Sequence, residues 1–338
     1  MTKTVDVCVL GATGLVGKQI IQTLEERDFP VGTLYPLASA RSLGKTVEFK
    51  GEELDVLSVE DFDFSQCQIG LFSAGGNVSK EYAPIAAKAG CIVIDNTSEF
   101  RYKDDIPLVV PEVNGEKIAD YKARNIIANP NCSTIQMLVA LKPIQEKLGI
   151  ERINVATYQS VSGAGKQAID ELAKQCTSLL TGTPVEPHVF DRQIAFNVIP
   201  QIDVFQDNGY TKEEMKMVWE TQKIFADESI RVNPTAVRVP VFYGHAEAIH
   251  IEVKEDFDIE QVKTWLDEAQ GVTILANDAE FPTQIGDAAG KDDVFVGRVR
   301  RDISYAKGLN LWVVADNVRK GAATNSIQIA EVLVEQYL

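Results

Sequence analysis

The sequence lacks the features of membrane and nucleic-acid-binding proteins. None of its apolar runs approaches the roughly 18 consecutive residues of a membrane span. Basic residues are few, because 33 Lys and Arg face 49 Asp and Glu and leave a formal charge of −16. A sequence-independent grip on nucleic acid needs a basic face, so we expect neither a nucleic-acid partner nor a membrane partner. The run VDVCVLG near the N-terminus is broken by glycine too early for a secretory signal, which favours a cytoplasmic protein.

Cysteine and histidine are also scarce. The five cysteines are odd in number and widely spaced, without a Cys-x-x-Cys pair, so we expect neither a disulfide framework nor a bound metal. Four of them (Cys8, Cys67, Cys91 and Cys176) lie in apolar or helical stretches, where a free cysteine acts as a small buried hydrophobe. Cys132 differs because its neighbours in NPNCST are polar.

The remaining composition is that of an ordinary globular protein, with 45% hydrophobic residues and enough chain for about two domains. Through the first half, short apolar runs alternate with helix-length amphipathic segments, as a parallel α/β sheet requires. The predicted strands lie at about 4–10, 33–38, 68–73, 91–95 and 125–128, and the predicted helices at about 14–27, 79–89 and 133–148.

The second half has a different pattern, which indicates a mixed sheet. INVATYQSVS is typical of a strand, and the further predicted elements are strands at about 235–241, 246–253, 294–303 and 309–315, and helices at about 166–180 and 212–226. A last helix at about 322–337 should pack back on the first domain through Ile327, Ile329, Ala330, Leu333 and Val334. We therefore expect an α/β protein. A Rossmann-type parallel-sheet domain would occupy 1–132 plus 317–338, and an α+β domain with a mixed sheet would occupy 133–316.

A glycine-rich loop, GATGLVG, follows the first predicted strand and opens the first predicted helix. Main-chain amides at such a helix N-terminus hold a pyrophosphate, and glycines let the phosphates approach the main chain. The loop therefore predicts a dinucleotide site, although a glycine turn without a ligand has the same pattern. The residues of this predicted site are Gly11, Thr13, Gly14, Leu15, Val16 and Gly17.

The end of the second predicted strand reads LASARS and has no acidic residue. An acidic side chain there would bind the ribose 2′-hydroxyl of NAD, whereas Arg41 with the hydroxyls of Ser39 and Ser42 suits a 2′-phosphate. We therefore predict NADP as the cofactor, with a solvated loop arginine as the alternative.

NPNCST lies between a predicted strand and a long predicted helix, which places Cys132 at a helix N-terminus. The helix dipole and the free amides there stabilise a thiolate and lower the thiol pKa, as a nucleophile requires. A histidine partner must be one of three, and His245 lies at the mouth of a strand, just after a glycine. His250 faces the opposite side of that strand, and His188 lies among prolines in a loop. An inert cysteine in a turn remains the alternative.

Two further sets of residues are compatible with a ligand. SVSGAG ends a predicted strand and would let a flat ligand approach closely, although a plain turn fits equally well. Basic residues that could meet an anionic substrate are Arg101, Lys216 and Arg238.

Together these motifs resemble those of one family, the NADP-dependent aspartate-semialdehyde dehydrogenases. The similarity spans almost the whole chain, in order, through GATGLVG, SARS, FSAGG, IDNTSEFR, NPNCST, SVSGAGK, EEMKMVWET, RVPVFYGHAE and DNVRKGAATNSIQ. The resemblance implies that Cys132 attacks the aldehyde, that His245 acts as the base and that Gln159 orients the substrate.

The resemblance also implies binding roles. It assigns the substrate carboxylate to Arg238, the substrate amine to Glu213, and phosphate to Arg101, Asn131 and Lys216. It assigns NADP to Thr13–Val16, to Arg41 with Ser42, to Ser162 with Gly163, and to Asn317.

The implied reaction is reversible. Thiolate attack on the aldehyde and hydride transfer to NADP give a thioester, which phosphate then opens. In the biosynthetic direction L-aspartyl 4-phosphate becomes L-aspartate 4-semialdehyde and phosphate, on the route to lysine, diaminopimelate, threonine, methionine and isoleucine. The family also implies a catalytic and dimerisation role for the second domain, in a homodimer or, alternatively, a tetramer.

Two rival functions remain open. An N-acetyl-glutamyl-phosphate reductase shares the architecture, but it usually has Gly in place of Asn131 and an aromatic residue in place of Ser133. A catalytically inactive NADP-binding protein of the same fold is the second rival, and the joint presence of Cys132, Gln159 and His245 argues against it.

Overall fold

The computed structural model describes residues 4–275, 277 and 279–338. The strands are β1 Val5–Leu10, β2 Val31–Ala38, β3 Thr46–Phe49, β4 Glu52–Asp55, β5 Leu57–Ser58, β6 Ile69–Phe72, β7 Ile92–Asp95, β8 Ile126–Ala128, β9 Ile150–Gln159, β10 Arg231–Arg238, β11 His245–Val253, β12 Val272–Ile274, β13 Val294–Arg301 and β14 Gly308–Ala315. The α-helices are α1 Leu15–Glu26, α2 Gly76–Lys88, α3 Pro111–Asn114, α4 Cys132–Leu148, α5 Lys166–Leu180, α6 Lys212–Phe225, α7 Ile259–Asp267 and α8 Thr324–Gln336. Within these described ranges, no helix has the length and apolar character needed to cross a membrane.

The chain divides into two compact units. The first contains the residues up to 131 together with 322–338, and the second contains 132–321. The first boundary thus follows residue 131, where the sequence pattern suggests 132, and the second follows 321, where the pattern suggests 316.

The first unit is built on a six-stranded sheet in the order β5-β2-β1-β6-β7-β8, and every neighbouring pair is parallel. Its central strands are apolar on both faces, as expected of a parallel sheet covered by helices. Four apolar residues of α8 lie in its hydrophobic core, as their periodicity predicts (Ile327, Ile329, Ala330 and Leu333). The prediction of a Rossmann-type domain is confirmed.

Several short elements of the first unit are not predicted from the sequence. β3 and β4 form a hairpin whose turn, Lys50–Gly51, has positive φ at both residues. Strands of four residues are too short to show a convincing alternation, and β5 has only two residues. In contrast, α2 is predicted, but it begins at Gly76, earlier than the pattern indicates.

The second unit contains a mixed six-stranded sheet in the order β10-β9-β11-β14-β13-β12. The pairs β10–β9 and β12–β13 are parallel and the others antiparallel, which confirms the predicted mixed sheet. The helix α4 contacts β9, β11 and β14, and all its residues from 133 to 141 are buried.

The predicted bounds of two strands in this unit are wrong. β9 stops at Gln159 because residues 161–164 form a 3-10 turn instead of continuing the strand. β10 begins at Arg231 and ends at Arg238, earlier than predicted, because it pairs with β9 along its whole length, from Arg231 opposite Arg152 onwards. The helix α7 and the short strand β12 are not predicted at all.

Candidate active site

Three residues implicated by the sequence lie side by side on neighbouring strands. Gln159 at the end of β9 pairs in register with Arg238 at the end of β10 and with His245 at the start of β11. Directly opposed residues of paired strands share one face of the sheet. The three side chains are almost completely buried, at 1%, 6% and 0% exposure respectively. Strand register therefore brings a cation, an amide and an imidazole together at one edge of the site.

His245 is held by the residue that follows Gln159. The main-chain N–H of Ser160 donates to Nδ1 of His245 over 3.1 Å, and the Ser160 hydroxyl lies 3.2 Å from the same nitrogen. Because Nδ1 accepts this bond, the neutral ring carries its proton on Nε2. Burial, and after it the charge of Arg238, lower the pKa of His245 to about 3. The ring is therefore neutral at physiological pH.

This arrangement bears on the role of His245 as a base. Its Nε2 is buried and has no hydrogen-bond partner in the described part of the chain. A neutral imidazole with its proton on Nε2 donates a hydrogen bond from that atom and cannot accept a proton there. The geometry favours a donor to a developing oxyanion, as in other enzymes that use a neutral histidine as an electrophile.

Cys132 is the first residue of α4, one residue before the predicted start at 133, so its predicted place at a helix N-terminus agrees with the structure. Its side chain is partly exposed, whereas Cys8, Cys67 and Cys91 are buried. A Cβ at Gly321 would lie 2.7 Å from the Cβ of Cys132, so glycine at 321 leaves room for the thiol.

Arg238 is a charged neighbour of this thiol. Burial lowers the pKa of Arg238, while the negative charges of Glu213 and Cys132 act in the opposite direction. The interaction is reciprocal, so the guanidinium charge favours a thiolate at Cys132. Arg238 is fixed by donating from Nη1 to the main-chain oxygen of Ser160 over 2.7 Å.

Two residues of α6, Glu213 and Lys216, extend the hydrogen bonds of Gln159. Glu213 accepts from Nε2 of Gln159 over 3.1 Å and from Nζ of Lys216 over 2.9 Å. Lys216 also donates to Asp203 over 2.9 Å. Burial lowers the pKa of Lys216 but the two carboxylates outweigh it, and the net pKa is raised. Lys216 is thus charged and paired with two carboxylates, and the sequence reasoning did not identify Asp203.

Asn317 connects the loop after β9 to the strand β11. Its Oδ1 accepts from the hydroxyls of Ser160 and Ser162, both over 3.1 Å, and from the N–H of Gly244 over 3.0 Å. A Cβ at Gly163 would lie 2.8 Å from Nη1 of Arg238 and 3.3 Å from Nε2 of His245. Glycine at position 163 therefore lets this loop approach Arg238 and His245 more closely than a residue with a Cβ could.

Ser160 is the functional residue that sequence reasoning missed in this loop. It contacts His245, Arg238 and Asn317 through its N–H, its carbonyl and its hydroxyl respectively. Its position in the SVSGAG motif was the available signal. Its role could not be inferred because two of these contacts use main-chain atoms, which leave no trace in the sequence.

The first unit brings the glycine loop and the LASARS segment together. The N–H of Gly11 donates to the carbonyl of Leu37 at the end of β2 over 2.9 Å, and the hydroxyls of Thr13 and Ser42 are 3.4 Å apart. A Cβ at Gly17 would lie 2.1 Å from the Gly11 carbonyl oxygen, so α1 can approach the loop this closely only with glycine. α1 begins directly after Gly14, with Leu15 and Val16 in its first turn.

Arg41 lies in a 3-10 turn, Ala40–Ser42, that begins after Ser39. Its side chain is exposed and forms no hydrogen bond or ion pair with another described residue. An arginine without an ion pair beside serine and threonine hydroxyls matches what a phosphate monoester requires.

Arg101 and Asn131, the other two residues assigned to phosphate, belong to the first unit. Both are buried, and Arg101 donates from Nη2 to the main-chain oxygen of Asn96 over 2.9 Å. The loop that carries Arg101 is held by Asp95, which accepts from the hydroxyls of Ser79 and Thr97 over 2.7 Å each. Asn131 directly precedes Cys132 in the chain.

Three cysteines outside the site lie close together in space, although they are far apart in the sequence. The sulfur atoms of Cys8, Cys67 and Cys91 lie within 4.8 Å of one another, and those of Cys67 and Cys91 are 3.6 Å apart. Three thiols this close in space could hold a metal ion. Their wide spacing along the sequence, without a Cys-x-x-Cys pair, predicts none. The parallel strands β1, β6 and β7 are neighbours in the sheet and bring the three residues together.

Comparison with known proteins identifies the family. The chain matches the model "Semialdehyde dehydrogenase, NAD binding domain" over residues 6–121 and the model "Semialdehyde dehydrogenase, dimerisation domain" over 141–320. An aspartate-semialdehyde dehydrogenase of Shewanella sp. (strain DB6705) is 64% identical over 337 residues, covering 100% of both chains. The chain belongs to the aspartate-semialdehyde dehydrogenase family. It is an oxidoreductase with the family's NAD-binding and dimerisation domains, and the resemblance found in its motifs is confirmed.

Solved structures of the family agree with this membership. An aspartate semialdehyde dehydrogenase II from Vibrio cholerae, described as complexed with ASA, has a TM-score of 0.98 and 64% identity, covering 99% of this chain and 100% of that chain. The enzyme from Candida albicans, described as with NADP, has a TM-score of 0.75 and 25% identity, covering 98% of each chain.

Proposed function

We propose that this chain catalyses the reversible, NADPH-dependent reductive dephosphorylation of L-aspartyl 4-phosphate to L-aspartate 4-semialdehyde, through a thioester on Cys132. The observation that carries the proposal is the in-register row Arg238–Gln159–His245 in the unit that begins with Cys132. This row supplies a cation that can bind a carboxylate, an amide that can orient the substrate, and a hydrogen-bond donor to an oxyanion.

In the first step the Cys132 thiolate attacks the acyl carbon of the substrate. The start of α4 and the charge of Arg238 favour the thiolate over the thiol. Negative charge that develops on the carbonyl oxygen accepts a hydrogen bond from Nε2 of His245. The carbon–oxygen bond to phosphate then breaks, the thioester forms, and phosphate leaves with a proton from solvent.

NADPH, when bound, supplies the hydride that reduces the thioester. His245 again donates to the oxyanion, now that of the thiohemiacetal. The carbon–sulfur bond then breaks, the aldehyde leaves and Cys132 returns as a thiolate. No step asks His245 to take up a proton, which is consistent with its pKa of about 3.

Binding roles follow from the same contacts. Arg238 offers a planar fork for the substrate carboxylate, and Glu213 offers a carboxylate for its amine. Gln159 already bonds Glu213, so it fixes the binding carboxylate in addition to orienting the substrate. We assign the phosphate to Lys216, Arg101 and Asn131.

The proposed cofactor is NADP. In the first unit, the Gly11–Gly17 loop would take the pyrophosphate at the start of α1, and Arg41 with Ser39 and Ser42 would take the 2′-phosphate. In the second unit, Ser162, Gly163 and Asn317 are the residues assigned to NADP. Arg41 forms no ion pair with another described residue, which supports the choice of NADP over NAD.

NADPH oxidation with L-aspartyl 4-phosphate, compared with N-acetyl-glutamyl phosphate, tests the proposal. We expect turnover with the aspartyl substrate and little with the other, and a preference for N-acetyl-glutamyl phosphate would assign the rival reductase. Turnover with neither, despite NADP binding, would favour the inactive NADP-binding protein.

The biological setting is part of the proposal. We assign the enzyme to the cytoplasm and to the biosynthesis of lysine, diaminopimelate, threonine, methionine and isoleucine. The family's dimerisation domain at 141–320 supports a homodimer, with a tetramer as the alternative that sedimentation would reveal.

A further inference from the structure

Two buried polar side chains next to the site have no assigned role. Gln136 lies in α4, four residues after Cys132, and Glu247 lies in β11, two residues after His245. Residues four apart in a helix share a face, and so do residues two apart in a strand. Gln136 and Glu247 are therefore the inward neighbours of the nucleophile and of the histidine, at 1% and 0% exposure.

Their hydrogen bonds are incomplete. Nε2 of Gln136 donates to the main-chain oxygen of His245 over 3.4 Å, which already links the nucleophile helix to the histidine strand. Oε1 of Gln136 and both carboxyl oxygens of Glu247 have no partner among the described residues. A buried carboxylate without a donor or a cation is very costly, whereas a protonated carboxyl gains a donor of its own.

The two groups are complementary if Glu247 is protonated. Oε1 of Gln136 accepts no hydrogen bond from the described part of the chain, and a neutral Glu247 has an O–H to donate. Burial raises the pKa of Glu247 well above its usual value, and the neighbouring Gln136 amide opposes this only in part. Among the described residues, no charged group contributes to this pKa shift, so none of their cations holds the carboxylate in its ionised form.

We propose that Glu247 is a neutral carboxylic acid that pairs with Gln136, and that this pair positions the start of α4 against the start of β11. Glu247 and Gln136 are positioning residues, because they act through Cys132 and His245 and touch no reacting atom. Their catalytic effect rests on the proposed function, but the protonation of Glu247 does not.

The first experiment reads protonation in the purified protein without substrate. The infrared difference spectrum between the parent and Glu247→Gln at neutral pH should show a protonated-carboxyl band that the variant has lost. The matched control is Glu171→Gln, a buried glutamate of the same unit whose carboxylate accepts three N–H bonds, and it should keep the band. An unchanged spectrum in Glu247→Gln would overturn the proposal.

The second experiment reads positioning. Glu247→Gln keeps a neutral hydrogen-bonding group and should retain kcat within about threefold, whereas Glu247→Leu should lose roughly 10- to 100-fold in kcat with KM little changed. Alkylation of Cys132 by iodoacetamide, which needs no substrate, should slow in Glu247→Leu and stay at the parent rate in Glu247→Gln. Equal kcat losses in both variants, or a lowered Tm with kcat and alkylation intact in Glu247→Leu, would overturn positioning.

The two experiments separate this inference from the proposed function. If aspartyl phosphate is not a substrate, the infrared band and the alkylation rates still report on Glu247. If Glu247→Leu does not fold, the comparison of Glu247→Gln with the parent decides the protonation state.

Discussion

The main-chain N–H of Ser160 donates to Nδ1 of His245 over 3.1 Å, and this contact does not depend on the side chain at position 160. It fixes the ring proton on Nε2, the nitrogen that Gly163 approaches closely. A histidine expected to act as a base is thereby arranged as a neutral donor.

The pH dependence of the reaction should show this state. Burial and Arg238 hold the pKa of His245 at about 3, so the ring stays neutral as the pH rises from about 5 to 8. We expect the acid limb of kcat/KM to keep its midpoint in His245→Gln, although kcat itself falls. If the parent instead shows an acid limb of kcat/KM near the ordinary histidine pKa of about 6.5, and this limb is lost in His245→Gln, then His245 acts as a base.

Gly163→Ala tests the close approach of Gly163 to Arg238 and His245. The added methyl would lie 2.8 Å from Nη1 of Arg238 and 3.3 Å from Nε2 of His245. If Arg238 and His245 must shift to relieve a strain of about 1–3 kcal/mol, and this strain weakens transition-state binding, kcat/KM should fall by roughly 5- to 150-fold. Gly76→Ala is the control, because no atom lies within 4 Å of its added Cβ. Equal kinetics in both variants would show that the close approach at position 163 has no function.

Thiol labelling tests the nucleophile. Cys132 is partly exposed at the start of α4, whereas Cys8, Cys67 and Cys91 are buried. Brief treatment with iodoacetamide at neutral pH should label Cys132 first and abolish turnover. Cys132→Ser should lose nearly all turnover and keep NADP binding. Labelling of Cys176 alone, with activity lost, would point to another nucleophile.

Arg41→Ala tests the cofactor preference. An exposed guanidinium that binds a 2′-phosphate contributes about 1.5–3 kcal/mol through charged hydrogen bonds. The apparent KM for NADP should therefore rise by roughly 10- to 150-fold, while that for NAD changes little. Lys45→Ala, another exposed cation just after the turn, should affect neither. Equal weakening of both cofactors would mean that Arg41 supports the loop and does not read the phosphate.

Arg238→Lys tests the carboxylate fork. The substitution keeps the charge but loses the bidentate geometry and the bond to the Ser160 carbonyl. We expect a cost of about 1.5–3 kcal/mol in kcat/KM, roughly 10- to 150-fold. Arg231→Lys at the exposed start of the same strand is the control. A parent-like kcat/KM in Arg238→Lys would remove Arg238 from substrate binding.

The sequence by itself determined the features that depend on local chemistry. Apolar runs alternating with amphipathic segments require the parallel sheet, because helices must cover both of its faces. The role of Gly17 and the start of α1 could be predicted, because only glycine at 17 lets the helix pack this closely against Gly11. The position of Cys132 was readable because a strand, a turn and a long helix follow one another along the chain. Short elements such as β3 and β4 carried too few residues for such a pattern.

Only the tertiary structure decided which distant residues meet. Strand order and register place Gln159 between Arg238 and His245, and a slip of one residue would send His245 to the other face of the sheet. The same non-local packing brings the thiols of Cys8, Cys67 and Cys91 together, and their spacing along the chain did not predict this. It also sets the proton on His245 and isolates Glu247, because tautomer and protonation depend on burial and on main-chain donors from other elements.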